Sequence, residues 1–351
     1  MSNLTPIRTG IIGFGLSGRV FHAPFIATNS AFSLDLVSTS SPERAAEATA
    51  HHPGVEIVDS AEALLARAGE LDLVILASPA HAHLEQGIAA LEAGAHLVID
   101  KPFAPTLLDA KKLIAKAEET GKLLAVFHNR RWDGDFLTLK SLIAEGVLGD
   151  IHRFESTFER WGGPTRDRWQ DKSTVEDGAG ITFDLGSHLI DQALQLFGPA
   201  IVEQAELNIV REGGASEDDA FLSLLHTNGV RSHLTMSRVA GQSGPRLRAL
   251  GSKSAYSVYG LDNQEPALKN YEWPGSEGFG VPPESEWGTL GFEGSLERVP
   301  TERGNYAGFY EGVASSILDG APLPVDPRDA LEVVRIIERA HAIAASVAQA
   351  E

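Results

Sequence analysis

Residues 9–26 read TGIIGFGLSGRVFHAPFI, and this stretch decides how the beginning of the chain folds. A short apolar run leads into Gly13, Gly15 and Gly18, and a helix-like segment follows. In a G-x-G-x-x-G turn the glycines permit the tight bend, the approach of a pyrophosphate and close helix packing, and the helix N-terminus attracts phosphate. Such turns also occur without ligands, but the flanking residues here favour a dinucleotide. The predicted cofactor-binding residues of this loop are Gly13, Gly15, Leu16, Ser17 and Gly18.

Strand-like and helix-like segments alternate after this loop. The continuous apolar run at 71–77, LDLVILA, is typical of a parallel strand covered on both faces. Residues 32–40, 96–100 and 123–127 are further strand candidates, with helical segments between them. The alternation predicts an α/β Rossmann domain over residues 1–128, with a doubly wound parallel sheet.

The pattern changes beyond residue 128. Residues 151–159 and 220–227 alternate like strands of an antiparallel sheet, and residues 180–197 are expected to form one helix. Residues 266–304 are rich in Gly, Pro and Glu and are expected to be mainly loop. We therefore expect residues 129–351 to form an α+β domain for substrate binding and oligomerisation, with an open, mainly antiparallel sheet. Such a sheet with one apolar face needs covering, so it is a predicted subunit interface.

Composition excludes several classes of protein. The formal net charge of -19 argues against nucleic acid as a partner, because phosphate binding needs clustered Lys and Arg. The absence of cysteine excludes disulfides, thiolate nucleophiles and cysteine-bound zinc. No apolar run approaches the roughly 18 residues of a membrane span, and no signal peptide is evident. We expect a cytoplasmic protein with no membrane partner.

The end of the second strand should decide between NAD and NADP. An NAD site needs a carboxylate there, but Asp35 lies in mid-strand and the strand end at 38–41 reads STSS. The hydroxyls of Thr39 and Ser40, with the guanidinium of Arg44, suit a 2′-phosphate. NADP is therefore the predicted cofactor and NAD the less favoured one. The alternative is that Ser40 and Ser41 only cap the next helix and that Arg44 is solvated, and both interpretations can hold together.

Lys101 directly follows the strand candidate at 96–100, at the carboxyl edge of the sheet, where ligands bind in open α/β folds. An ammonium group at this position can bind a substrate hydroxyl and stabilise the alkoxide that develops as hydride leaves. A lone lysine is also often an ordinary solvated side chain.

A third candidate group lies in DLGSHLID, residues 184–191. On a helix, Asp184, His188 and Asp191 are spaced to share one face, and a histidine beside carboxylates suits general acid–base catalysis. The same pattern also fits a buried polar pair. A metal site is a weaker alternative, because no third ligand is apparent, and we predict none.

Four segments together resemble the Gfo/Idh/MocA family of oxidoreductases. They are GFGLSGRVFHAPFI, SPAHAHLEQGIAALEAGAHLVIDKPF, HNRRWDGDF and DLGSHLIDQALQLFG. The residues of the glycine loop and of the NRRWD motif are most similar to the branch that contains NADP-dependent scyllo-inositol dehydrogenases. The resemblance covers about residues 7–200 and continues more weakly from residue 306 to the end.

The resemblance implies hydride transfer between a nicotinamide and a ring carbinol of a small polyol or sugar. It assigns the catalytic roles to Lys101, Asp184 and His188. His188 would take the hydroxyl proton, Asp184 would orient the substrate and His188, and Lys101 would polarise the oxygen and contact the cofactor. The family's other cofactor positions fall on Ser78, Pro79, His83 and Arg131. The resemblance also implies a homodimer or a homotetramer. The chain departs from the family in having Asp100 where Glu is usual, so the role of that position is open.

The sequence indicates the substrate-binding residues less clearly than the catalytic and cofactor-binding ones. Trp161 and Tyr306 are the predicted substrate contacts, and Tyr256 is a candidate of the same kind as Tyr306. Arg166, Arg168 and Trp169 lie in the same Gly- and Pro-flanked loop as Trp161, which could equally be an interface loop. The rival functions are action on a sugar acid or amino sugar, a glycosidase that oxidises its substrate transiently, and a non-catalytic nucleotide-binding sensor. Retention of all three catalytic residues argues against the sensor.

Overall fold

The computed structural model describes residues 5–165 and 172–348 of the chain. They form two compact units. The first unit comprises 5–129, 264–279 and 306–331, and the second comprises 130–165, 172–263, 280–305 and 332–348. Two late segments thus belong to the first unit, and the expected domain boundary between residues 128 and 129 stays a prediction.

The described residues of both units contain α-helices. They are α1 (Ala23–Thr28), α2 (Pro42–His51), α3 (Ala61–Leu65), α4 (His83–Glu92), α5 (Leu107–Thr120), α6 (Gly134–Ala144), α7 (Ser187–Phe197), α8 (Gln264–Lys269), α9 (Ala307–Asp319) and α10 (Pro327–Ala348). The side chain of Ser41 caps α2 by accepting a hydrogen bond from Arg44 N, and Pro42 is its first residue. Thr106 caps α5 in the same way, and Gly121 ends it in the left-handed conformation.

The first unit contains a parallel sheet of six strands in the order β3-β2-β1-β4-β5-β6. The strands are β1 (Ile7–Ile12), β2 (Phe32–Ser38), β3 (Glu56–Val58), β4 (Leu73–Leu76), β5 (His96–Asp100) and β6 (Leu124–Phe127). Every residue of β4 and β6 is buried, as their apolar runs predicted. The strand order reverses between β1 and β4, and in such sheets the ligand binds beyond the carboxyl ends at this point. The predicted Rossmann fold is confirmed.

The second unit contains an eight-stranded sheet in the order β14-β13-β12-β11-β7-β10-β9-β8. The strands are β7 (Ile151–Glu159), β8 (Ala200–Asn208), β9 (Asp219–His226), β10 (Arg231–Ser237), β11 (Leu247–Gly251), β12 (Ala255–Val258), β13 (Gly288–Phe292) and β14 (Ser295–Val299). All neighbours pair antiparallel except β7 and β10, so the expected mainly antiparallel sheet is confirmed. Ile201, Phe292 and Leu296 are exposed on it. The homodimer or homotetramer stays a prediction.

Two local expectations hold with additions that the sequence did not predict. Residues 266–304 are mainly loop, as expected, but they also contain most of α8 and the hairpin of β13 and β14. The expected helical segment at 180–197 is helical, but Thr182–Gly186 forms a π-helical turn before α7 begins. The buried Glu217 carboxylate accepts hydrogen bonds from Thr182 N at 3.2 Å and Thr182 Oγ1 at 2.5 Å, which fixes the beginning of that turn. In the part of the chain described, no helix is both long and apolar enough to cross a bilayer.

Candidate functional site

The glycine loop joins β1 to a π-helical turn at Ser17–His22, which leads into α1. Gly13 has a φ of 92°, a conformation that a side chain disfavours, and its N–H donates to Ser38 O at 3.2 Å. A Cβ at Gly18 would collide with Gly13 O. A Cβ at Gly15 would meet within 4 Å only Arg44 Nη1, at 3.9 Å. The backbone at Gly15 is therefore open to a ligand, and Arg44 lies beside it.

Asp100 links this loop to the candidate catalytic lysine. Its Oδ2 accepts a hydrogen bond of 2.5 Å from Ser17 Oγ, and its Oδ1 accepts one of 2.8 Å from Lys101 N. Lys101 lies at the carboxyl end of β5, as predicted, and the Lys101–Pro102 peptide bond is cis. The shorter carboxylate at position 100 therefore fixes the backbone of Lys101 against the glycine loop.

His22 is a component of this site that the sequence reasoning missed. Its side chain is fully buried, with Nδ1 2.6 Å from the hydroxyl of Tyr310 and Nε2 3.9 Å from Asp100 Oδ1. Burial lowers the pKa of His22 to about 4, against the attraction of Asp100, so the imidazole is neutral at neutral pH. The available signal was a histidine inside the apolar run that follows the glycine loop.

The residues expected to determine the preference for NADP over NAD lie at the end of β2. Asp35 lies within β2 and accepts from Ser33 Oγ at 3.1 Å, so it is in mid-strand as expected. Ser40 is exposed, and Thr39 Oγ1 accepts from Ser41 N at 3.3 Å. The capping role offered as the alternative is confirmed for Ser41, whereas the cofactor roles of Thr39 and Ser40 stay predictions.

His83 fixes two loops at the carboxyl edge of the sheet. The ring is buried, with Nδ1 3.1 Å from Phe103 O and Nε2 3.0 Å from Ser78 O. Burial lowers the pKa of His83, although both carbonyl contacts oppose this. The imidazole joins the loop after β4, where Pro79 follows Ser78, to the loop that carries Lys101. Its predicted contact with the cofactor stays a prediction.

In the second unit, Asp184 lies in the π-helical turn and is one-third exposed. Its Oδ2 accepts hydrogen bonds from Arg238 Nη2 at 2.5 Å and Arg160 Nη2 at 3.3 Å. The two arginines follow the ends of the parallel strands β10 and β7, which places them side by side. His188 lies in the first turn of α7 and is buried. The sequence reasoning missed both arginines, because their proximity depends on strand pairing.

Arg131 has a buried partner in the same unit. Its Nε and Nη2 donate to the two oxygens of Asp191 at 2.9 Å and 2.6 Å, and the Asp191 side chain is 2% exposed. The neighbouring Gln192 Nε2 donates to Arg130 O at 2.7 Å. These bonds attach the segment after β6 to α7, the helix that carries His188. The predicted contact of Arg131 with the cofactor stays a prediction.

The substrate candidates differ in accessibility. Trp161 is 70% exposed and forms an isolated bridge with Val239, whereas Tyr256 and Tyr306 are fully buried. The Tyr306 ring lies in the first unit, 6.4 Å from that of Phe25. The other candidates from the loop of Trp161 lie outside the described residues. They are Arg166, Arg168 and Trp169. Within 5–165 and 172–348, no three His, Asp or Glu side chains are grouped as a metal site requires.

Comparison with known proteins identifies both halves of the chain. Residues 7–128 match the oxidoreductase family with an NAD-binding Rossmann fold, and residues 136–257 match the GFO/IDH/MocA C-terminal domain. The uncharacterised oxidoreductase YdgJ of Escherichia coli is 38% identical over 342 residues, which are 95% of this chain and 94% of YdgJ. The NADP+-dependent scyllo-inositol 2-dehydrogenase IolW of Bacillus subtilis is 35% identical over 338 residues, with coverage of 95% and 92%.

A solved structure has the same fold over nearly the whole length. The oxidoreductase YvaA of Bacillus subtilis superimposes with a TM-score of 0.91 at 34% identity, covering 99% of this chain and 98% of YvaA. The resemblance of the four motifs to one family therefore extends to both units.

Proposed function

Since the chain belongs to the GFO/IDH/MocA family and is an NAD(P)-dependent oxidoreductase, we propose that it is an NADP-dependent dehydrogenase of a cyclitol or sugar. The substrate would be an inositol or an aldose, oxidised at a ring hydroxyl. The name of the relative IolW supports the cyclitol and the NADP. Within this chain, the supporting observation is that Asp100 binds both the glycine loop and the backbone of Lys101.

The glycine loop fits a dinucleotide. Gly15 presents open backbone, the close contact between Gly18 and Gly13 leaves no room for a side chain, and Arg44 lies beside Gly15. Leu16 is 50% exposed on the same loop. The loop would hold the pyrophosphate, and the Arg44 guanidinium would bind the 2′-phosphate. When bound, the nicotinamide supplies the acceptor for the hydride.

The remaining chemistry belongs to three side chains. The Lys101 ammonium would donate a hydrogen bond to the substrate oxygen and stabilise the negative charge that develops there. The His188 imidazole would take the hydroxyl proton. The Asp184 carboxylate, held by Arg238 and Arg160, would orient a substrate hydroxyl and His188.

Lys101→Met is expected to lower kcat by about 10²–10³-fold, because it removes the charge that stabilises the developing alkoxide. Steady-state kinetics on the substrate found in the assay below measure the effect. Lys111→Met is the matched control, since Lys111 is exposed on α5, and it should retain wild-type rates. A Lys101→Met enzyme with near-wild-type kcat would remove Lys101 from the mechanism.

Arg44→Ala is expected to raise the Kd for NADPH by about 10–100-fold, because a hydrogen bond to a charged group contributes roughly 1.5–3 kcal/mol. The Kd for NADH should change little, because NADH lacks the 2′-phosphate. Fluorescence titration of the reduced cofactors measures both constants. Arg328→Ala is the control, an exposed arginine of the first unit that pairs with Glu118 at 2.6 Å. Equal losses for both cofactors would contradict the assignment.

The decisive assay is the formation of reduced nicotinamide from NADP or NAD with a panel of inositols, aldoses and sugar acids. We expect NADPH to form with one polyol. Formation of NADH alone would overturn the cofactor assignment and would make Asp35 the candidate carboxylate of an NAD site. Tight NADPH binding without turnover of any member would favour the non-catalytic sensor, and cofactor that cycles without net reduction would favour the glycosidase.

A second substrate class is favoured by one observation. Arg160 and Arg238 place two guanidinium groups beside one carboxylate at Asp184, and Arg160 is half exposed. Guanidinium groups bind carboxylates through paired hydrogen bonds, so a substrate with a carboxylate would suit these two arginines. A sugar acid that turns over faster than its neutral analogue in the same panel would select this alternative.

A further inference from the structure

Tyr271 has an unusual backbone in the late segment 264–279, which belongs to the first unit. Its φ is 60°, and it is the one non-glycine residue with positive φ in the described part of the chain. An aromatic residue in this region is strained, and such strain persists only where the surrounding contacts impose it. The contacts that Tyr271 makes therefore indicate what this conformation serves.

The hydroxyl of Tyr271 contacts two charged side chains. It donates a hydrogen bond of 2.5 Å to Glu47 Oε1 and accepts one of 3.2 Å from Arg19 Nη1. Arg19 Nη1 also bonds Glu47 Oε1 at 3.0 Å. The Tyr271 ring stacks on His51, with centroids 4.4 Å apart and planes 11° from parallel. One carboxylate oxygen thus accepts from both a tyrosine and an arginine.

This network joins the two elements that carry the proposed phosphate ligands. Arg19 directly follows Gly18 of the glycine loop, and Glu47 lies on α2 three residues after Arg44. Burial would raise the pKa of Glu47, but the bonds from Tyr271 and Arg19 outweigh it and lower this pKa. Glu47 is therefore a full negative charge one helical turn from Arg44.

The position of Glu47 matters for an anionic ligand. Residues three apart on a helix are neighbours, so a Glu47 released from its partners can pair with the guanidinium of Arg44. It would also repel a phosphate bound there. In the structure, Glu47 faces Arg19 and Tyr271, while Arg44 Nη1 lies near Gly15.

We propose that Tyr271 is a positioning residue for cofactor specificity, which holds Glu47 away from Arg44 and so keeps Arg44 available for the 2′-phosphate of NADP. This inference rests on the proposed function, because it requires Arg44 to bind that phosphate. It assigns a role in cofactor choice to a residue far along the chain from the Rossmann fingerprint.

The test is the Kd of NADPH and of NADH for Tyr271→Phe, which keeps the ring stacked on His51 and removes only the hydroxyl. NADPH binding should weaken by about threefold or more. The factor is modest because the network is partly exposed and its charges are screened by solvent and salt. NADH binding should stay unchanged. Adding Glu47→Gln should restore the affinity for NADPH, because the released charge is gone. Tyr259→Phe, at an exposed tyrosine of the second unit, should change neither constant.

The outcomes separate this inference from the function on which it rests. Equal weakening for both cofactors, or no restoration by Glu47→Gln, would show that Tyr271 is only structural and would overturn the inference. If Arg44→Ala lowers the preference for NADPH and Tyr271→Phe does not, the inference alone fails. If Arg44→Ala leaves the preference unchanged, the phosphate assignment fails and the role of Tyr271 fails with it.

Discussion

His188→Asn is expected to lower kcat by about 10²–10⁴-fold, the usual contribution of a positioned general base. Asparagine keeps a polar side chain of similar reach but cannot take the hydroxyl proton. His188 is buried in the first turn of α7, so the substitution changes few exposed contacts. The Kd for NADPH should stay within about twofold, because the proposed role of His188 is proton transfer and not cofactor binding. Pre-steady-state formation of NADPH measures the chemical step directly.

The matched control is His152→Asn, since His152 is an exposed histidine on β7 of the same unit. It should leave kcat unchanged. Thermal unfolding of both variants shows whether lost activity reflects lost structure. If His188→Asn folds normally and retains kcat, the proton must go elsewhere, and the assignment of the general base is wrong.

The predictable part of the fold depends on local signals. The glycine loop depends on the positive φ of Gly13 and on the close approach of Gly18 to Gly13, and both features are local in sequence. β4 is a continuous apolar run, which only a strand covered on both faces needs. The hairpin of β13 and β14 has no comparable apolar run, because β14 is exposed along nearly its whole length. Its two strands form through their hydrogen bonds to each other, which the sequence pattern does not show.

The candidate site likewise contains residues that local sequence predicts and residues that only tertiary contacts bring together. The position of Lys101 follows from a strand end, which sequence shows. The contact between Glu47 and Tyr271 joins residues 224 positions apart, and no periodicity predicts it. The π-helical turn at Asp184 depends on Glu217, on a different segment of the chain. Sequence therefore proposes candidate reactive side chains, whereas the residues that hold them depend on tertiary contacts.

Asp191→Ala is expected to lower the free energy of unfolding by about 3–5 kcal/mol, the cost of leaving one partner of a buried ion pair uncompensated. Arg131 loses both oxygens that its Nε and Nη2 bind, while its own side chain is only 10% exposed. Because this pair attaches the segment after β6 to α7, kcat should also fall. Equilibrium unfolding in urea measures the loss of stability.

The comparison with an exposed pair decides whether burial causes the effect. Arg231 and Glu203 form a similar two-bond pair in the same unit, but the arginine is 52% exposed. Glu203→Ala should therefore cost only about 0–1 kcal/mol. Removing both charges with Arg131→Met and Asp191→Leu should recover much of the lost stability, because no buried charge then remains unpaired. If Asp191→Ala costs no more than Glu203→Ala, the pair does not hold α7 in place.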